Sequence, residues 1–219
     1  MFTDTEFKDF MQKHKDEILN NDWESIYDDL PSYKDVSNLT DFLLNKVHIN
    51  PLYYMTSVPI YFAYNLDIPS INIPNNVTSI GRYAFENCSK LTSITISNSV
   101  RSIGSGAFYN CTGLTSINIP DGVTSIEDYA FWDCTSLTSV TIPSSVTEIG
   151  YGAFQNCSSL TSITIPNSVK MIRDDAFTDC DNLKEIKYNG TESEWNALLS
   201  KVKYLLKFIQ QRNIKVIFI

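Results

Sequence analysis

The sequence predicts an α+β repeat solenoid. Its coils share one parallel β-sheet of about six to seven short strands, capped by helices at the N-terminus and by a helix plus a strand at the C-terminus. Three observations predict it. Five cysteines, Cys88, Cys111, Cys134, Cys157 and Cys180, stand 23 residues apart. Around each one the same apolar residues recur: Ile126, Ala130, Phe131, Cys134, Leu137, Val140 and Ile142 repeat Ile103, Ala107, Phe108, Cys111, Leu114, Ile117 and Ile119. At both ends of the periodic region the pattern changes from strand-like alternation to helical spacing.

The first 53 residues predict a helical cap domain. Phe7, Phe10, Met11, His14 and Ile18 fall at helical spacing within Thr5 to Asn20, and shorter helical patterns follow at Asp22 to Leu30 and Val36 to Val47. Residues 54–190 hold the repeats, five clear and one degenerate at the start, where Phe62, Ile68, Ile71 and Ile73 keep the period. Within each repeat the alternation at Ile94 and Ile96 predicts a short strand with one buried face, Ser93 and Thr95 pointing the other way. Pro120, Pro143 and Pro166 lack the N–H that a ladder needs, so they end their strands. Gly81, Gly104 and Gly150 are expected to turn the chain into a return segment filled by the Ala-Phe pair.

Residues 191–219 predict the C-terminal cap. Thr191 and Glu194 have capping-box spacing, and Trp195, Leu198, Leu199, Val202, Leu205, Leu206 and Ile209 would lie on one face of a helix. The terminal IKVIFI predicts a closing strand. No single repeat buries enough apolar surface to offset the ordering of its own backbone, so stability belongs to the stack.

The pattern C-x-x-L-x-x-I-x-I-P-x-x-V-x-x-I-G-x-x-A-F-x-x-C, as in CTGLTSINIPDGVTSIEDYAF and CSSLTSITIPNSVKMIRDDAF, resembles the BspA-like leucine-rich repeat family from Val77 to Gly190. YNGTESEW, with Tyr188, Gly190, Thr191 and Trp195, is similar to the usual exit from such an array. The resemblance implies a leucine-rich-repeat fold and a binding or adhesion role, usually in secreted or surface-anchored proteins.

Composition restricts function. A net charge of −8 argues against a general nucleic-acid binder, which needs clustered Lys and Arg. The charge is uneven: residues 1–53 carry eleven Asp/Glu against five Lys/Arg, whereas residues 184–219 carry seven Lys/Arg against three Glu. These read as solvated faces, with head-to-tail attraction as the alternative. No apolar run is long enough for a membrane-spanning helix, and the acidic start is unlike a signal peptide. The expected location is therefore cytoplasmic, with the extracellular surface as the alternative that the resemblance implies.

The chemistry-bearing residues read mostly as framework. The five cysteines lack a periodic histidine, since only His14 and His48 exist, and their spacing is not that of a zinc site. Cys88, Cys111, Cys134, Cys157 and Cys180 are therefore expected to form a buried structural ladder. Gly104-Ser105-Gly106 lacks the strand-loop-helix context of a phosphate loop, and the acidic pairs Asp28-Asp29 and Asp174-Asp175 lack the ligand number for calcium. No catalytic residue, cofactor or metal is expected, and the protein is read as a non-enzyme.

Positions that vary between repeats are free for recognition. Tyr83, Tyr109, Tyr129, Trp132 and Tyr151 would form an aromatic ridge, either a contact surface or local packing between coils. Ser93, Thr95, Ser116, Asn118, Ser139, Thr141, Ser162 and Thr164 would form a flat polar sheet face, either solubilising or covered by a partner. The expected function is a protein-protein interaction module, a monomer by preference, with an intracellular partner. The alternatives are a phage or mobile-element inhibitor of a host enzyme and a surface adhesin binding glycan.

Overall fold

The structure, a computed structural model, describes residues 9–10, 12–14, 23–28, 30, 32–46 and 50–219. Two columns of parallel strands run along the array. The short column holds β1 (Ser57–Val58), β3 (Ser79–Ile80), β5 (Ser102–Ile103), β7 (Ser125–Ile126), β9 (Glu148–Ile149) and β11 (Met171–Ile172). The long column holds β2 (Ser70–Ile73), β4 (Ser93–Ile96), β6 (Ser116–Asn118), β8 (Ser139–Thr141), β10 (Ser162–Pro166), β12 (Glu185–Asn189) and β13 (Lys215–Phe218). These seven strands are the expected sheet, hydrogen-bonded as a pair, β2-β4, and a group of five from β6 to β13, with β4 lying beside β6. The register follows the period: Ser139 pairs with Ser116 and Ser162, and Val140 with Ile117 and Ile163. The short column lay below the reach of sequence patterning, because two residues show no alternation. At Pro166 the pairing continues through the proline, which stands opposite Asn189.

The third side of each coil has no strand, yet its backbone is hydrogen-bonded from coil to coil. The N–H groups of Phe85, Phe108, Phe131 and Phe154 donate to the carbonyls of Ala107, Ala130, Ala153 and Ala176, 2.8 to 2.9 Å away. The turns begin directly after Gly81, Gly104 and Gly150. None of those glycines has positive φ. They are small because neighbouring backbone passes close by, a Cβ on Gly104 standing 2.8 Å from the Arg82 nitrogen. Left-handed φ comes two residues later, at Tyr83, Gly106, Tyr129, Gly152 and Asp175, and again at Asn87, Asn110, Asp133, Asn156 and Asp179.

Inside, the frame residues form ladders. Phe85, Phe108, Phe131, Phe154 and Phe177 stack with centroids 5.3 to 5.7 Å apart and planes within 8° of parallel. All five cysteines are buried and free, and each Sγ donates to a carbonyl of the preceding coil. Cys134 donates to Phe108 O at 3.2 Å and Cys180 to Phe154 O at 3.0 Å. A small apolar side chain that also carries a donor satisfies this position.

The first coil departs from the register. Backbone bonds pair Tyr61 with Arg82 and Ala63 with Ala84, an offset one residue shorter than the later period, which sets Phe62 in the alanine position. The phenyl ladder accordingly turns edge-on, Phe62 meeting Phe85 at 73°. Tyr27, in α1 (Trp23–Asp28), closes on Phe62 from outside at 5.8 Å. Its hydroxyl bonds to Thr40 Oγ1 in α2 (Tyr33–Asp41), and Ser37 donates to Tyr64 O, so the helical head is joined to the first coil. A π-helical turn, Phe42–Lys46, and a 3-10 turn, Pro51–Tyr54, complete this cap. Most of the helix expected over Thr5 to Asn20, including Phe7, Met11 and Ile18, lies outside the described residues, as does His48. Buried His14 packs its ring 4.5 Å from Phe10.

The C-terminal cap contains two helices where one was expected, α3 (Glu192–Leu199) and α4 (Lys203–Arg212), before β13 closes the sheet. The capping box is present at Thr191 and Glu194. The division has a packing cause. Trp195 in α3 packs its ring 5.0 Å from Tyr188, while Leu205 and Phe208 in α4 line a cleft against Ile172, Ala176 and Phe177 of the last coil. A straight helix could not face both surfaces, and Leu206 is left exposed.

Candidate functional site

On the third side of the coils, the predicted ridge residues line a groove of about 590 Å³. Tyr83, Tyr109, Tyr129, Trp132 and Tyr151 all border it, so side chains spread over 69 positions of sequence meet at one place. Three further residues complete the lining: Tyr61, Glu86 and Gln155. Glu86 and Gln155 occupy the variable position after the frame phenylalanine. Tyr61 was hidden by the shortened first repeat, although the shared Tyr-x-x-x-Asn spacing of Tyr61 to Asn65 and Tyr83 to Asn87 was a usable signal.

The two walls are built differently. On one, Tyr109 and Trp132 follow successive frame phenylalanines and stack at 4.4 Å and 17°. On the other, Tyr83 and Tyr129 hold left-handed backbone, with φ of 53° and 57°. Each of their rings lies over a glycine of the next coil. A Cβ at Gly106 would run into the Tyr83 ring, and one at Gly152 would come 3.0 Å from Tyr129 Cδ1. From Tyr83 to Gly152 tyrosine and glycine therefore alternate, because the Tyr83 and Tyr129 rings occupy the space that a side chain at Gly106 and Gly152 would need. Tyr61 extends the wall by stacking on Tyr83 at 5.5 Å, and Tyr151 meets Tyr129 edge-on at 5.4 Å.

Electrostatically the groove is an acidic aromatic surface. Partial burial raises the Glu86 carboxyl above its ordinary range, and burial with the nearby Glu86 raises the Tyr61 and Tyr109 phenols. Asp133 beside Trp132 is raised by burial and opposed by its hydrogen bond from Asn156. Tyr151 donates to Asp175 Oδ2 at 2.8 Å, which raises its phenol. Arg82 lies at the rim, 5.7 Å from the Tyr83 ring centroid.

The other candidates lie elsewhere. Ser93, Thr95, Ser116, Asn118, Ser139 and Thr141 stand exposed on the outer face of the long strand column, with Ser162 and Thr164 half-exposed. The row continues into Glu185 and Lys187 of β12, an ion pair of 3.3 Å, and then into Lys215 and Ile217 of β13. The cysteine ladder is enclosed, and burial pushes the Cys88 and Cys180 thiols up to about 12 and the other three well above their ordinary value. A thiol held in its protonated form is a poor nucleophile and a poor metal ligand. Among the described residues no group of three or more His, Cys, Asp and Glu side chains is placed to hold a metal ion.

The pattern described as a BspA type leucine rich repeat region matches residues 56–201 in six copies. The chain belongs to the BspA-type leucine-rich repeat family. The family and its fold are typically non-catalytic and typically bind proteins. Among solved structures, the chain is similar to a leucine rich cell surface protein from Faecalibacterium prausnitzii, with 41% identity over 60% of this chain and 35% of that one, TM-score 0.59. It is also similar to the leucine rich repeat protein TpLRR of T. pallidum, at 34% identity over 60% of this chain and 62% of that one, TM-score 0.56. The pneumococcal vaccine antigen PcpA shares the fold at 19% identity, over 75% of this chain and 44% of that one, TM-score 0.58. This chain thus spans about a third of the first relative's length and under two thirds of the second's. No curated protein matches it.

Proposed function

We propose that this chain is a non-catalytic recognition module that binds a protein partner through its aromatic groove. One observation carries the reading: five aromatic side chains from positions the repeat leaves free converge on one groove with their rings partly exposed. Tyr and Trp in such settings supply large contact area at small entropic cost. The Ser/Thr sheet face is polar and monotonous and serves solubility. Among the described residues no helix is long and apolar enough to cross a membrane. The F. prausnitzii relative is described as a cell surface protein, which favours a partner at the cell surface over the intracellular one expected from sequence. No observation favours the mobile-element inhibitor.

The test is copurification from native cells divided into surface and cytosolic fractions, with the parent chain and the variant Tyr109→Ala/Trp132→Ala as baits. The folded double variant is expected to retain at least about tenfold less partner, as loss of a paired hot spot predicts. Equal retention would refute the groove as the site.

A further inference from the structure

We propose that the groove receives a proline-rich segment in the polyproline II conformation, with a basic residue seated against Glu86; this rests on the groove being the recognition site. The first support is spacing. Tyr83 and Tyr129 present their rings two coils apart with Gly106 between them, while Tyr61 stacks on Tyr83 at 5.5 Å and Tyr151 meets Tyr129 at 5.4 Å, so one open interval lies between two ring pairs. With strands about 4.8 Å apart, that open interval between Tyr83 and Tyr129 is about 9.6 Å. A polyproline II helix advances about 3.1 Å per residue and turns every three, giving about 9.3 Å. An extended β-strand repeats at about 6.8 Å and falls out of step within one interval. An α-helix, about 10 to 12 Å across, advances about 10.8 Å in two turns and matches less well.

Chemistry provides the second support. A polyproline II chain leaves its carbonyls without internal partners, and the lining residues Tyr83, Tyr109, Tyr129 and Trp132 carry O–H and N–H donors, the Tyr151 hydroxyl being engaged by Asp175. Proline rings are flat apolar plates that pack on aromatic faces, as aromatic-lined grooves do for such ligands. Charge is the third support: among the described residues Glu86 is the single charged group lining the groove, in a protein of net charge −8. From Tyr61 to Tyr151 the groove crosses four coil steps, about 19 Å, which accommodates about six residues of polyproline II.

The experiment is fluorescence anisotropy of a fluorescein-labelled peptide, two arginines followed by ten prolines, titrated with the full chain. A control peptide keeps the arginines and replaces the prolines by alternating glycine and serine. Binding of the proline peptide at least about tenfold tighter than the control is expected. Trp132→Ala and Tyr129→Ala are expected to weaken it at least about tenfold, and Tyr129→Phe only a few-fold, the ring being kept. Glu86→Gln is expected to weaken it a few-fold and flatten its salt dependence. Thr141→Ala, on the sheet face, is expected to leave it unchanged, with circular dichroism melts showing each variant folded. Equal affinity for the two peptides, or displacement of the proline peptide by a chitin hexasaccharide at similar concentration, would overturn the proposal. If the proline peptide fails while Tyr109→Ala/Trp132→Ala still releases the copurified partner, the polyproline inference falls and the groove remains the site. If neither responds, both fall.

Discussion

At the residue scale, the cysteine shows how one position can serve only the fold. Its Sγ replaces no reactive group; it fills a small space and donates to a carbonyl that would otherwise keep one lone pair unused. The thiols of Cys88 and Cys180 rise to about 12, against about 8.5 in an unfolded chain. A raised folded pKa stabilises fully below the unfolded value and loses that contribution as pH rises toward the folded one. Urea midpoints are therefore expected to hold up to about pH 8 and to fall steadily through pH 10, and a flat profile would contradict buried, protonated thiols. Gly106 is constrained twice, by a φ of 63° and by the Tyr83 ring above it. Gly106→Ala is expected to cost about 1 to 3 kcal/mol in urea unfolding and to displace Tyr83.

At the element scale, the frame was legible and its exceptions were not. The six repeat strands of the long column follow from alternation over three to five residues, as in Ser93 to Ile96, and the capping box at Thr191 follows from spacing alone. Two-residue strands such as Ser125–Ile126 carry no periodic signal. The break between α3 and α4 has no glycine or proline to announce it; it is imposed by the two surfaces that the cap must cover. The groove was legible as a set of variable aromatics but not as a concavity, because the alternation of Tyr83 and Tyr129 with glycine acquires meaning only when the coils are stacked. Loss of the box in Thr191→Ala is expected to cost about 1 kcal/mol, read as a lower thermal midpoint with unchanged groove binding.

At the scale of the whole molecule, the period makes coils interchangeable in the core and distinct at the surface. Excising residues 112–134 joins Cys111 to Thr135 and restores every frame contact in register, while removing Tyr129 and Trp132. The shortened chain is expected to unfold cooperatively with an m-value lower by about a tenth, since m follows the surface exposed, and to have lost its partner. Failure to fold would show that the coils are not equivalent. The same separation predicts how neighbours in sequence behave: Phe131→Ala, in the ladder, should cost about 3 to 5 kcal/mol. Trp132 beside it stacks on Tyr109 at the surface, an arrangement worth about 0.5 to 1.5 kcal/mol beyond burial. The most direct test is partner retention by Trp132→Ala protein whose urea midpoint is measured on the same preparation. The expected result is a stability loss of about 1 kcal/mol with at least about tenfold less partner bound. A stability loss of several kcal/mol with full retention by the folded fraction would contradict it and return Trp132 to the framework.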